Sequence, residues 1–188
     1  MFYLVFLVLL ALNASAEPIL TTPIIPTIPS IYNSCPFGVL QTVGPYFLQL
    51  HNGTCFYFAV NRWKTYNGAD ADCVSGGGTL ALPKTKALND YLTDQLLNHY
   101  NRKDEAWIGL HDKDKEGRFQ WEDDTSVEWT NFASGNGPDN GWFASRREDC
   151  VAIDPLDDGM WHDFQCKEDF IALISGSEPL KMYICQYN

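Results

Sequence analysis

The chain has 188 residues, with 24 Asp and Glu against 13 Lys and Arg, a formal net charge of -11. Such a length fits one domain with flanking pieces, and 45% hydrophobic with 14% aromatic residues supplies a core. The acidic balance argues against nucleic acid and anionic membranes as partners. Acidic groups gathered in loops suit a hard cation, although most of the carboxylates read as solvated surface.

Residues 1–16, MFYLVFLVLLALNASA, form an apolar run ending in Ala14-Ser15-Ala16. Small residues in that alternation read as the cleavage site of a signal peptide, and the run is too short for an ordinary membrane span. An uncleaved anchor is the alternative. No later segment is long and apolar enough to span. Residues 17–34 form a Pro/Thr-rich spacer, where Pro18, Pro23, Pro26 and Pro29 oppose helix and central strand alike. It reads as an extended spacer of polyproline II character or as a disordered tail. Six cysteines in a secreted chain imply three disulfides, with 15 possible pairings that spacing alone leaves open.

The domain begins at Cys35. Phe47 to Leu50 and Cys55 to Phe58 read as a hairpin turning at Asn52-Gly53. Asn52-Gly53-Thr54 is also a glycosylation sequon. A helix is predicted over Lys64–Val74, with Ala69 and Cys73 on one face and Gly76-Gly77-Gly78 ending it. A second is predicted over Thr85–Tyr100, where Leu88, Tyr91, Leu92, Leu96 and Tyr100 recur at helical spacing as a core stripe. Beyond Trp107 the pattern changes to short apolar runs between long polar loops. Strands are predicted over Ala106–Leu110, Phe119–Trp121, Val151–Ile153, Met160–Asp163 and Met182–Gln186. This order is an α+β layout of two helices with antiparallel sheets.

The motifs along this frame form a fixed series. Cys35-Pro36-x-Gly38 comes first, then Ala69-x-x-x-Cys73-x-x-x-Gly77-Gly78-x-Leu80, Trp107-Ile108-Gly109-Leu110, Phe119-Gln120-Trp121 and Trp129-x-x-Phe132. Gly137-Pro138-Asp139, Glu148-Asp149-Cys150, Trp161-His162-Asp163, Cys166 and Tyr183-Ile184-Cys185 complete it. Each piece is weak, but the combination resembles the C-type lectin family in its long form, over residues 35–188. The resemblance implies a C-type lectin-like fold with a long calcium-binding loop region. It implies three disulfides, Cys35–Cys55, Cys73–Cys185 and Cys150–Cys166, the first enclosing more residues than the family usually has. Trp107, Ile108 and Leu110 are then core residues that touch no ligand.

The same resemblance implies two neighbouring calcium sites. The auxiliary one maps to Asp112, Glu116, Asn140, the Glu148 carbonyl and Asp149, each able to offer an oxygen. An ordinary charged turn neutralised by Lys113 and Lys115 is the plain alternative. The principal, sugar-binding site maps to Gly137, Asp139, Glu148, His162 and Asp163, and departs from the family twice. Gly137 replaces a Glu or Gln that would ligate both metal and sugar, and His162 replaces Asn. Imidazole suits zinc or copper better than calcium, so calcium is expected to be held weakly here. A zinc site of His162, Asp163, Asp139 and Glu148 matches no recognised spacing.

The family pattern further implies a cis bond before Pro138, and Trp142 stacked on a sugar or else packed within its loop. Replacing Gly137 by Gln together with His162 by Asn is expected to restore a galactose-type site. Asp139, Trp142, Glu148, His162 and Asp163 are therefore the candidate carbohydrate-binding residues. No Ser-His-Asp motif, H-E-x-x-H or phosphate loop points to an enzyme. The resulting expectation is a secreted, extracellular binder of glycans or glycoproteins, with a protein ligand as the alternative.

Overall fold

The computed structural model describes residues 34–139, 148–166 and 180–188; the signal-peptide and spacer readings, Asn140 and Trp142 lie outside them. Helix α1 (Phe37–Val43) is absent from the sequence reading. It fills the long segment between Cys35 and Cys55 and inserts Val39 into the core. Strands β1 (Leu48–His51) and β2 (Thr54–Phe58) form the expected hairpin, and Asn52 takes a positive φ of 50° at its turn.

Helix α2 (Tyr66–Ser75) begins where Thr65 accepts a hydrogen bond from the Gly68 N–H, so the cap sets the start two residues beyond the predicted one. Helix α3 (Lys86–Asp94) is capped in the same way by Thr85. The predicted helix to Tyr100 widens into a single π turn over Gln95–His99. Leu92, Leu96 and Tyr100 remain buried.

Strands β3 (Thr79–Leu80), β4 (Ala106–His111), β5 (Gln120–Trp121), β6 (Cys150–Asp154), β7 (Met160–Phe164) and β8 (Met182–Tyr187) follow. The described strands run in the order β1-β2-β8-β4-β6-β7, with β3 on β8 and β5 on β4. Unlike the expected antiparallel sheets, β8 inserts between the hairpin and β4 and runs parallel to β4. The chain therefore has three described helices on a mixed sheet, an α+β fold.

Consecutive side chains on a strand face opposite sides, and β4 is buried throughout. Trp107 belongs to the cluster that includes Tyr66, Cys73 and Tyr183, whereas Ile108 and Leu110 pack with Leu92, Leu96, Trp121 and Trp161. A Cβ on Gly109 would lie 2.6 Å from Leu82 Cδ2 and 3.0 Å from the Leu80 carbonyl oxygen, so glycine there permits close packing of the β3–α3 segment. The disulfides join Cys35 to Cys55, Cys73 to Cys185 and Cys150 to Cys166, the pairing that the resemblance implied. The second staples α2 to β8; the third holds the start of β6 to the end of β7.

Candidate functional site

The last residue of β4, His111, pairs with Cys150 at the start of β6, which pairs in turn with Phe164 at the end of β7. Asp112 follows β4 directly and is 2% exposed. Its backbone N–H donates to the Asp149 carbonyl at 3.0 Å, and its Oδ2 accepts from the Gly117 N–H at 2.7 Å. Its Oδ1 is buried with no hydrogen-bond partner among the described residues. Burial, followed by repulsion from Glu116, Asp149 and Asp163, pushes the Asp112 carboxyl up to about 6; the Gly117 hydrogen bond only partly opposes this.

Lys113 does not neutralise that carboxylate as the plain alternative supposed. Lys113 reaches away to Glu122 Oε1 at 3.0 Å, a carboxylate that also accepts from the Tyr66 hydroxyl at 2.7 Å. Asp112, Glu116, Asp149 and Asp163 thus face one another electrostatically around a desolvated oxygen. Calcium takes six to eight oxygen ligands with several carboxylates among them, so this donor set fits that ion. Glu148, half-buried, adjoins Asp149 immediately before β6.

The principal-site residues divide. Gly137, Pro138 and Asp139 form a short 3-10 turn, and the Gly137 N–H donates to Asp163 Oδ2 at 3.0 Å. Asn136 Oδ1 accepts from the Asp163 N–H at 3.2 Å. These bonds tie the loop to β7 through Asp163. The bond before Pro138 is trans, contrary to expectation, since no cis peptide occurs among the described residues. The chain turns instead at Gly137, whose φ is +81°, a conformation open mainly to glycine. A Cβ at this position would lie 2.7 Å from the Phe132 ring. The expected restoration by Gly137→Gln therefore meets both a clash and an unfavourable backbone.

His162 does not join this group. In the β6–β7 register, Ala152 pairs with His162 and Val151 with Asp163, so the pleat sends the two side chains to opposite faces. His162 Nδ1 lies 3.0 Å from Glu105 Oε1, and Nε2 lies 3.3 Å from Asp157 Oδ2. Glu105 and Asp157 were missed by the sequence reading because no motif marks them; only strand pairing brings them to His162.

Trp161 anchors the strand that carries both residues. Its indole N–H donates to Asn89 Oδ1 at 2.7 Å, and its ring makes edge contacts with Trp121, Trp129 and Phe132. An aromatic block of this kind holds β7 rigidly, because packed interiors resist displacement. Asp163 is thereby fixed relative to Asp112.

Residues 62–173 match the family described as Lectin C-type domain. Human (Homo sapiens) tetranectin is 31% identical over 153 residues, covering 79% of this chain. Collectin-10 of Gallus gallus is 34% identical over 113 residues, 60% of this chain. The chain spans 66% of the first and 38% of the second. Among solved structures, the lectin CEL-I from Cucumaria echinata superposes with a TM-score of 0.62 at 24% identity, covering 77% of this chain and 96% of that one. The carbohydrate-recognition domain of cow CD23, solved in the presence of an oligosaccharide, gives 0.58 at 25%, covering 76% and 93%. The chain belongs to the C-type lectin family and has its fold.

Proposed function

We propose that this chain is a secreted, non-enzymatic carbohydrate-binding protein that holds calcium through Asp112, Glu116, Asp149 and the Glu148 carbonyl, with Asn140 as a further ligand. The observation that carries this reading is the carboxylate group around Asp112, whose buried Oδ1 lacks a partner among the described residues. A desolvated anion among like charges is costly without a cation. Calcium would offset the charges of these carboxylates and fix the loop that bears the sugar-contacting groups. Asp139, Glu148 and Asp163 offer a second, weaker calcium position beside it, where Trp142 would stack on a sugar. We propose the division into a signal peptide at 1–16, a spacer at 17–34 and a lectin-like domain at 35–188, with glycosylation at Asn52. No helix among the described residues is long and apolar enough to cross a membrane.

The test is a glycan array probed with calcium and again with EDTA. Calcium-dependent binding to a defined set of glycans supports the reading; identical patterns in both conditions reject it. A second reading, recognition of a protein partner independently of sugar, is favoured by Gly137 against Phe132 and by His162 on the opposite face. Failure to bind any glycan, with calcium still stabilising the domain, would move that reading ahead.

A further inference from the structure

We propose that Glu105, Asp154 and His162 form a binding site for one divalent transition-metal ion of the zinc class, on the sheet face turned away from Asp163. Their ligand atoms all lie within 4.8 Å of one another. The topology explains the convergence. Ala106 pairs with Ile153, so Glu105 continues that register opposite Asp154, and Asp154 pairs with Met160 two residues before His162. Alternation then sets the three side chains on one face of three adjacent strands. A cleft of about 270 Å³ opens beside them, lined by Glu105 and Asp154 and rimmed by the exposed Trp63, Leu156 and Leu180. It offers an entry path.

The hydrogen bonds assign roles. A neutral imidazole has one N–H, yet His162 has a carboxylate oxygen at each ring nitrogen. If Nε2–H donates to Asp157, the Nδ1 lone pair faces Glu105 Oε1 at 3.0 Å. Two acceptors at that distance need a proton or a metal ion between them. Asp157 then acts as the outer carboxylate that orients a ligating imidazole. Asp154 is oriented likewise, since its Oδ1 accepts from the Leu156 N–H at 2.8 Å.

Lys181 holds the other oxygen of Glu105 and lies 3.5 Å from the centre of the Phe164 ring. Formally, Glu105, Asp154 and Asp157 against Lys181, with His162 neutral, leave two negative charges, while Lys103 and Asp104 at the cleft cancel. A dication neutralises that sum. One imidazole nitrogen and two carboxylate oxygens, with water in the fourth position, suit tetrahedral zinc better than calcium.

The experiment is calorimetric titration of zinc chloride into the full, disulfide-bonded chain, with calcium in excess throughout to occupy all-oxygen sites. One equivalent of zinc should bind. His162→Gln and Glu105→Gln should each weaken it by about tenfold or more, and Asp157→Asn should weaken it while keeping the stoichiometry. Cobalt in place of zinc should give a visible absorption band that His162→Gln abolishes. If Glu105→Gln misfolds because Lys181 loses its partner, Asp154→Asn at the cleft edge serves in its place. No saturable zinc binding, or binding unchanged in the His162 and Asp154 variants, overturns the proposal and leaves His162 as a hydrogen-bonded link between Glu105 and Asp157.

Discussion

Gly137 and Asp112 carry the two sharpest residue-level predictions for this C-type lectin family member. Gly137 combines a φ of +81° with a Cβ position already filled by Phe132. Gly137→Ala is therefore expected to destabilise the domain by about 1–3 kcal/mol, read from urea denaturation; an unchanged midpoint would mean that the loop adjusts freely. For the same reason Gly137→Gln with His162→Asn should yield no simple gain in galactose affinity, since the first change displaces Phe132 and the second acts on the wrong face. Galactose titration of the double variant checks this.

Asp112 makes a pH-dependent prediction. Its folded carboxyl titrates at about 6 against an ordinary 3.8, so the folded state binds a proton more tightly than the unfolded one. This contribution to the stability of the calcium-free protein is present below pH 3.8, is lost as pH rises to about 6, and stays lost above. Asp112→Asn should flatten that part of the profile. Calcium should reverse its sign by favouring the ionised carboxylate. Urea midpoints in EDTA across the window, for both proteins, measure it. An Asn variant whose profile falls as steeply as the parent's would show that other groups carry the slope.

Among the elements, α2 and β8 form the central joint. Asp72 on α2 accepts from Lys64 at 2.6 Å and from the Tyr183 hydroxyl on β8 at 2.5 Å. Burial raises its carboxyl, but these two bonds together with the charges of Lys64 and Arg62 outweigh that and hold it below the ordinary value. Cys73 and Cys185 link the same two elements across 112 residues, against separations of 20 and 16 for the other disulfides. Cross-linking a longer loop removes more entropy from the unfolded chain. Replacing Cys73 and Cys185 together by Ala should cost roughly 2–5 kcal/mol and more than removing Cys150–Cys166. Thermal unfolding of the two double variants gives the comparison, and the opposite ranking would show that native contacts dominate.

For the whole molecule, the charge of -11 includes a carboxylate group gathered at one end of the sheet. A cation bound only by the folded state adds about 2.7 kcal/mol at 100 times its dissociation constant. Melting should accordingly shift upward with calcium and return with EDTA, and Glu116→Gln should reduce the shift. An unshifted melting temperature in the unmodified protein would remove calcium from the account. The zinc-class site should respond separately, because its ligands face the other side of the sheet.

Local pattern made much of this legible. Alternation and turn chemistry marked the β1–β2 hairpin, helical spacing marked α2 and α3, and the ordered motifs marked the family and with it the disulfides. These signals survive in one dimension because each depends on residues close in the chain or on a fixed order. Helix α1 and the insertion of β8 parallel to β4 were decided by packing between distant segments. The fate of His162 was decided in the same way. Its neighbour in sequence, Asp163, lies on the opposite face because a strand alternates, and Glu105 and Asp157 reach the imidazole only after β4, β6 and β7 have set their register.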